Sequence, residues 1–320
     1  MAMNRVQFQP GLSIAKFMAL YGSEDQCRAA LFRSRWPDGF RCPRCQGAEH
    51  SQFWRGDREY FQCTGCRQQT TLVSGTLFEA TKLPLDKWFL GLYLLTTTKT
   101  NMAALELMRH LGVCYRTAWR FKHKVMQAMM SREETRRLGG FVQIDDAYLG
   151  GERNGGKPGR GSENKQAFVI AVETDEQLQR PKFAVIEPVP SFTNAAITDW
   201  CKRRLKQEAE VFSDGLSSFR RCADQGHAHT VLVTQGGRAA TEVNGARWVN
   251  VVLSNVKRSI SGAYHSIRQA KYARRYLGEA AYRFNRRFQL PELLPRLLRA
   301  MVLCGACAEP LLRQASNYLS

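Results

Sequence analysis

The chain has 320 residues, and its 47 lysines and arginines against 28 aspartates and glutamates give a net charge of +19 and a pI of about 9.8. This length predicts more than one domain, and the charge favours a polyanionic partner, either nucleic acid or an anionic membrane surface. The longest apolar stretch, around Trp88 to Leu95, is far shorter than the roughly 18 residues of a membrane-spanning helix, and the first residues lead into no apolar signal core, so we expect a cytoplasmic protein without a membrane segment.

The amino-acid composition of the first part of the chain changes at Trp36. Residues 13 to 33 have apolar positions at helical spacing and predict short helices. Residues 36 to 75 are rich in cysteine, glycine, proline and aromatic residues, and they have too little apolar periodicity to form much of a core. Another source of stability is therefore expected in this segment.

Two cysteine pairs supply that source. A Cys-Pro-Arg-Cys motif is followed after 17 residues by a Cys-Thr-Gly-Cys motif, with a strand-like segment over 59 to 62 between them. This spacing predicts two knuckles whose thiolates close a tetrahedral zinc site. The four expected ligands are Cys42, Cys45, Cys63 and Cys66. A closed four-sulfur site has no open coordination position, so this zinc would support folding rather than chemistry.

A helical region follows the cysteine motifs. A helix is expected over 87 to 97, and residues 102 to 130 predict two more helices with a break at Leu111-Gly112-Val113. The break resembles a helix-turn-helix, in which Gly112 would supply the permissive backbone and the second helix would present basic residues to DNA. Cys114 stands where a serine or threonine cap is usual. The alternative is a plain helical hairpin that joins two domains.

From Gly139 the pattern changes to strands. Strands are expected over 141 to 149, 167 to 173, 182 to 189 and 210 to 213, with a helix over 194 to 205, and this order predicts an α/β sheet. Residues 247 to about 284 are expected to be helical. A glycine-rich segment over 151 to 158 lacks the final serine or threonine of a phosphate-binding P-loop, so it is interpreted as a hairpin loop whose Lys157 and Arg160 contact DNA.

Two aspartates are the candidate chemical groups. Alternation along 142 to 146 places Asp145 on the strand face opposite Val142 and Ile144, and Asp214 ends a second apolar strand. Each aspartate alone has a plain structural explanation, since Asp-Gly at a strand end is often a turn. On neighbouring strands, however, the pair would hold Mg²⁺ or Mn²⁺ for phosphodiester chemistry.

The order of these motifs resembles a known family, the bacterial insertion-sequence transposases that join a zinc ribbon to an RNase H-like catalytic domain of the DDE type. The resemblance covers nearly the whole chain. It rests on Tyr21–Glu24 with Cys27, Arg35–Phe40, Asp145–Gly151, Ser213–Gly215, Trp248–Asn250 with Lys257, Gly262–His265 and Tyr282–Arg287. It implies a multidomain α+β protein: N-terminal helices and zinc ribbon over 1–75, a helix-turn-helix-like region over 76–135, and an α/β RNase H-like catalytic domain with C-terminal helices over 136–320.

The resemblance also implies a third metal ligand. In such enzymes a glutamate on a helix is followed seven residues later by a lysine or arginine, and here that spacing ends on Asn250 and Lys257. Residues seven apart share one helical face, so the amide would ligate metal and the ammonium would contact phosphate. A neutral amide should bind a cation more weakly than a carboxylate. The alternative is that Asn250 only caps or packs its helix, with Glu279 or Glu242 as the acid.

The expected partner is double-stranded DNA, both the terminal inverted repeats of the element and its target, bound by a homo-oligomer that is at least a dimer. Residues 247 to 288 contain ten basic residues and one acid, Glu279, a pattern that favours phosphate contact. The expected DNA contacts are Arg116, Arg120, Lys124, Lys157, Arg160, Arg258, Tyr264, His265, Arg283 and Arg286. The alternatives are an inactive DNA-binding regulator or relic and a stand-alone nuclease.

Overall fold

The computed structural model describes residues 6–150, 165–233, 241–264 and 269–314. They form two compact units. The first contains the described residues up to Ala128 together with Phe288–Arg313, and the second contains those from Met129 to Arg287. Among the described residues, no helix combines the length and the hydrophobicity that a bilayer-spanning segment requires.

The first unit begins with two short helices. Helix α1 spans Ile14–Tyr21 and helix α2 spans Glu24–Arg35. Ser23 and Gln26 form a reciprocal capping box at the start of α2, which satisfies two backbone N–H groups that a helix terminus otherwise leaves without a partner. Both helices pack against a third helix, α3, over Leu85–Thr97.

A three-stranded antiparallel sheet lies between these helices in the sequence. Its strands are β1 (His50–Arg55), β2 (Arg58–Cys63) and β3 (Gln69–Thr70), in the spatial order β1-β2-β3. Phe61 on β2 is buried, and its ring lies 5.1 Å from that of Trp36 and 5.9 Å from that of Phe40. Aromatic rings therefore replace the aliphatic core that this segment lacks.

The expected break between two helices is present. Helix α4 covers Ala104–Leu111, and helix α5 covers Tyr115–Glu133. Gly112 ends α4 in the left-handed conformation, with φ of 60°, where glycine carries no steric cost. Cys114 precedes α5, and its sulfur lies 3.2 Å from the hydroxyl oxygen of Thr117 in the first turn of that helix.

The second unit is built on a five-stranded sheet with the spatial order β6-β5-β4-β7-β8. Strand β4 pairs antiparallel with β5 and parallel with β7, while β5 pairs antiparallel with β6 and β7 pairs parallel with β8. The strands are β4 (Phe141–Leu149), β5 (Gln166–Thr174), β6 (Pro181–Pro188), β7 (Glu210–Ser213) and β8 (Ala228–Val231). Four of the five were predicted, and the mixed α+β architecture is confirmed.

Helices cover this sheet. Helix α6 (Asn194–Arg204) and a 3-10 helix (Ser217–Gln225) belong to one apolar core with Val142 and Ile144 of β4. Helix α7 (Arg247–Ala263) packs on β4 and β5, and helix α8 (Gln269–Asn285) packs mainly on β6. The central strand β4 is thus apolar toward α6, while its alternate residues are free to carry polar groups.

The last helices return to the first unit. Helix α9 (Leu293–Leu303) packs on α2 and α3, and Leu77 donates a backbone hydrogen bond to Met301. A short helix α10 covers Glu309–Arg313. The sequence-based division instead extended the catalytic domain to residue 320. The difference arises because the leucines of α9 find their apolar partners on α2 and α3.

Candidate functional site

Four cysteine sulfurs meet at the ribbon. The Sγ atoms of Cys42, Cys45, Cys63 and Cys66 all lie within 4.8 Å of one another, and the Cys42–Cys66 and Cys45–Cys63 sulfurs are each 3.5 Å apart. All four are free cysteines. A tetrahedral zinc with bonds of about 2.3 Å separates its sulfurs by roughly 3.8 Å, so the cluster fits zinc.

The two cysteine knuckles have the same backbone geometry. The backbone N–H of Gln46 donates to the carbonyl of Cys42, and the backbone N–H of Arg67 donates to the carbonyl of Cys63, both at 3.0 Å. Gln46 and Arg67 both adopt left-handed conformations, with φ of 62° and 60°. Each knuckle therefore turns the chain back so that both of its thiols face the other pair.

A cluster of carboxylates forms the candidate catalytic site. Strand β4 pairs with β7 only from Phe141 to Ile144, so Asp145 continues past the end of β7, and Asp214 follows directly after Ser213 at that end. One carboxylate oxygen from each of Asp145, Asp146 and Asp214 lies within 4.8 Å of the others. The predicted pair is therefore brought together by parallel pairing of the two strands.

Backbone hydrogen bonds orient two of these carboxylates. Oδ1 of Asp145 accepts from the amide of Asp146 at 2.8 Å, and Oδ1 of Asp214 accepts from the amide of Leu216 at 3.2 Å. Within the described part of the chain, neither Oδ2 has a hydrogen-bond donor. Each aspartate thus has one oxygen fixed by the backbone and one oxygen available for a cation. Carboxylate oxygen is the ligand type that Mg²⁺ and Mn²⁺ prefer.

The electrostatics of the cluster also fit a cation. Burial, followed by the charges of Asp214 and Asp146, raises the pKa of Asp145 to about 7, while the positive charge of Lys257 acts in the opposite direction. Negative charges held together without a counter-ion destabilise the ionised state of all of them. A divalent ion would remove that cost.

Asn250 faces the same cleft. Asp145, Asp214 and Asn250 line a cavity of about 210 Å³. The Asn250 Nδ2 donates to the carbonyl of Ala246 at 2.9 Å. Because a carbonyl only accepts, this bond fixes the amide orientation and leaves Oδ1 as the atom without a donor among the described residues. Neither Glu279 nor Glu242, the fallback acids, belongs to a described metal-ligand cluster.

Glu279 instead has a structural partner. It is 1% exposed and accepts a hydrogen bond from the hydroxyl of Tyr264 at 2.9 Å. The carboxylate and burial together raise the pKa of Tyr264 well above its usual value. Tyr264, expected to contact DNA, is therefore buried with its hydroxyl engaged inside the second unit.

The predicted DNA contacts on helix α5 differ in exposure. Arg116 and Arg120 are exposed and both pair with Glu309, at 3.0 and 3.4 Å. Lys124 is half-buried, and its ammonium donates to the carbonyl of Leu77 at 2.6 Å. Arg116 and Arg120 are thus exposed on this helix, with Glu309 as a shared counter-charge.

The other predicted contacts lie in the second unit or outside the described residues. Arg258 is exposed, and Arg283 is half-buried. Arg286 donates to Glu133 and stacks its guanidinium on the ring of Tyr282 at 3.6 Å, so it is held within the unit. Lys157, Arg160 and His265 lie outside the described residues.

The sequence interpretation did not single out Asp146. Strict alternation places Asp146 on the face opposite Asp145, yet its carboxylate belongs to the cluster. Strand β4 has no β7 partner beyond Ile144, so its end is open on that side. The consecutive side chains of Asp145 and Asp146 can therefore both approach Asp214. The adjacent Asp-Asp pair was the available signal.

The raised pKa of Asp145 leads to a stability prediction. The folded protein binds this proton more tightly than the unfolded chain, so between about pH 4 and pH 7 the free energy of unfolding should fall as the pH rises. The total loss approaches about 4 kcal/mol without divalent cation. Asp145→Asn should therefore raise the Tm at pH 8 by about 5 °C or more in buffer without magnesium.

Calorimetry with and without added Mn²⁺ measures this effect. The cation should narrow the difference in Tm between the wild type and Asp145→Asn. Asp199→Asn is the matched control, because Asp199 lies on α6 with a side chain 65% exposed. Equal Tm values for the wild type and Asp145→Asn at pH 8 would contradict the prediction.

Comparison with known proteins agrees with the two clusters. Residues 22–69 match the transposase zinc-ribbon domain, and residues 137–285 match the ISXO2-like transposase domain. A protein described as uncharacterized, in the transposable element ISH50 of Halobacterium salinarum, is 24% identical over 209 residues, which cover 62% of this chain and 69% of that protein. The four cysteines fall within the first domain match, and the carboxylates with Asn250 and Lys257 fall within the second.

Proposed function

We propose that this chain, which matches the transposase zinc-ribbon domain and the ISXO2-like transposase domain of insertion-sequence transposases, cuts the ends of its own element and joins them to target DNA. The ribbon and the α4–α5 pair would bind the terminal inverted repeats. The second unit would hydrolyse a phosphodiester to free a 3′ hydroxyl. That hydroxyl would then attack a phosphodiester of the target, form a new bond to its phosphorus and displace the 3′ oxygen of the target strand. At least two copies would act together, since an element has two ends.

The observation that carries this proposal is the meeting of Asp145, Asp214 and Asn250 at one cleft, with the carboxylate of Asp146 beside those of the other two aspartates. Two divalent ions, when bound, activate the attacking and leaving oxygens of a phosphodiester. Asp145, Asp214 and Asn250 would hold them, with Asp146 as a further ligand. Lys257 would neutralise a phosphate oxygen beside the cluster, and Arg258 would bind the neighbouring backbone.

The hydrogen bond from Nδ2 of Asn250 to Ala246 leaves Oδ1, the metal-binding atom, without a donor among the described residues, so Asn250 can serve as a ligand. An enzyme and an inactive relic then differ in activity. The direct test is a strand-transfer assay with purified protein, Mg²⁺ or Mn²⁺, and DNA that carries the ends of the element. Cleavage without joining would favour the stand-alone nuclease.

Asn250 and Lys257 should respond differently to substitution. Asn250→Ala removes a proposed ligand and should reduce joining about tenfold or more, with partial recovery at high Mn²⁺, whereas Asn250→Asp should retain activity with a changed metal preference. Lys257→Ala should weaken DNA interaction with a stronger dependence on salt than on magnesium.

Joining rates measured over a range of magnesium and salt concentrations separate the two effects. Ser254→Ala is a suitable control, because Ser254 is an exposed residue on the same helix, α7. Full activity of Asn250→Ala at low magnesium would remove Asn250 from the metal site.

A further inference from the structure

A buried glutamine connects the strand of Asp145 to the helix of Asn250. Gln143 lies two residues before Asp145 on β4, so both side chains are on the same strand face. Its side chain is fully buried. The side-chain oxygen Oε1 accepts from the backbone N–H groups of Trp248 at 2.8 Å and Val249 at 3.1 Å. The side-chain nitrogen Nε2 donates to the backbone carbonyl of Asn244 at 2.8 Å.

These bonds occupy the start of helix α7. The first amides of a helix have no acceptor within the helix, and a capping side chain usually accepts from the second or third of them. Trp248 and Val249 hold those two positions, since α7 begins at Arg247, and the residue before it, Ala246, supplies no side-chain cap. Gln143 therefore caps α7 from a different element.

The loop before α7 is fixed to the other aspartate-bearing strand. A Cβ atom at Gly245 would lie 2.2 Å from Cδ1 of Leu232 and 3.2 Å from Cδ1 of Phe212 on β7. A larger residue at position 245 would have to displace the side chain of Leu232. Gln143 ties the start of α7 to the strand of Asp145, and Gly245 allows the same segment to pack on the strand that precedes Asp214.

We propose that Gln143 is a positioning residue that sets the distance of Asn250 from the aspartates. Asn250 follows Val249 directly, so a shift or rotation of the first turn of α7 moves its amide. Gln143 itself neither ligates metal nor contacts DNA. This inference rests on the proposed metal site. It assigns to that site a residue, Gln143, that fixes the position of Asn250, the proposed third ligand.

The side-chain chemistry explains why glutamine suits this position. A glutamate would keep both acceptor bonds but would lose the donor to Asn244 and bring another negative charge near the carboxylate cluster. Methionine has nearly the same shape, yet it would remove the side-chain partner of two amides and one carbonyl, and the amide of Val249 is buried. Gln143→Met is therefore the informative variant.

Asn285 provides a matched control at the far edge of the sheet. It is a buried carboxamide at the end of α8 that accepts from the amide of Ala184 on β6 at 2.7 Å and donates to its carbonyl at 2.9 Å. Asn285→Leu removes this bridge between helix and strand together with the hydrogen bond from Nδ2 to the carboxylate of Glu133 at 2.7 Å. A general loss of stability would affect both variants, whereas a change in metal binding should be confined to Gln143→Met.

Mn²⁺ binding, measured as loss of the free Mn²⁺ signal in electron paramagnetic resonance, gives a readout that does not depend on DNA joining. Gln143→Met should weaken Mn²⁺ binding about tenfold or more, within the range known for residues that orient metal ligands, while Asn285→Leu should stay within about twofold of the wild type. In an Asn250→Ala background, Gln143→Met should add little, because its effect passes through Asn250. An undiminished Mn²⁺ affinity, or fully additive losses, would overturn the inference.

Two further results keep the test decisive. If wild type and Asp145→Ala bind Mn²⁺ equally poorly, the proposed metal site itself fails and the role of Gln143 falls with it. Hydrogen exchange of the wild-type protein needs no variant: the amides of Trp248 and Val249 should be protected, unlike those of Leu105 and Glu106 in α4, a helix without a side-chain cap. Rapid exchange at Trp248 and Val249 would contradict the capping of α7 by Gln143 even if Gln143→Met failed to fold.

Discussion

Asp145→Ala and Asp214→Ala should each reduce strand transfer below about a hundredth of the wild-type rate, because each removes a carboxylate from the metal cluster. Binding to the element ends should remain nearly intact, or even tighten, since negative charge near DNA is removed. Gel-based joining assays and equilibrium DNA binding, performed on the same preparations, measure the two effects separately.

Asp199→Ala is the matched control for these variants. Asp199 lies in the second unit but pairs with Arg203 at the surface of α6, away from the carboxylates. It should keep wild-type joining, which separates loss of a ligand from loss of an acidic residue as such. Substantial joining by either cluster variant would move the active site elsewhere.

The second large effect concerns zinc. Purified protein should contain about one zinc per chain, and Cys42→Ser or Cys66→Ser should lose it, because three thiolates and a hydroxyl cannot close the site. Since zinc binding supplies much of the folding free energy of such a segment, residues 40 to 72 should become sensitive to protease. Metal analysis and limited proteolysis measure these outcomes.

Cys27→Ser controls for the removal of a buried thiol. Cys27 lies on α2, is fully buried, and burial raises the pKa of its thiol to about 12, so it is a packed neutral side chain rather than a ligand. This variant should retain zinc. If Cys42→Ser and Cys66→Ser also keep full zinc and the wild-type cleavage pattern, the four-sulfur site is not formed.

Much of the fold could be predicted because its signals are local. Strands β4 and β7 were predicted with their observed bounds, and the glycine break between α4 and α5 was predicted from a single residue. Strand β8 and the 3-10 helix were not predicted. Strand β8, Ala228–Val231, has three of its four residues exposed, so it lacks the apolar pattern that identifies a buried strand.

The candidate site was predictable only in part. Asp145 and Asp214 stand at recognisable strand positions, whereas the role of Gln143 depends on amides more than a hundred residues away. The exposure of individual basic residues could not be predicted from the sequence either. Arg286 belongs to a basic segment, yet Glu133 holds it, because a long side chain with an acidic neighbour in space is indistinguishable in sequence from one that faces solvent.

The return of the chain to the first unit affects how that unit is made. Helix α9 completes the packing around α2 and α3, and the guanidinium of Arg299 donates to the carbonyl of Ser34. A ribosome therefore releases residues 129–287 of the second unit before it supplies the last two helices of the first. The first unit thus begins to be synthesised first but is completed after the main part of the second, although N-terminal domains generally fold first. A chain that stops early would keep the cysteine motifs but lack part of the apolar core that α9 forms with α2 and α3.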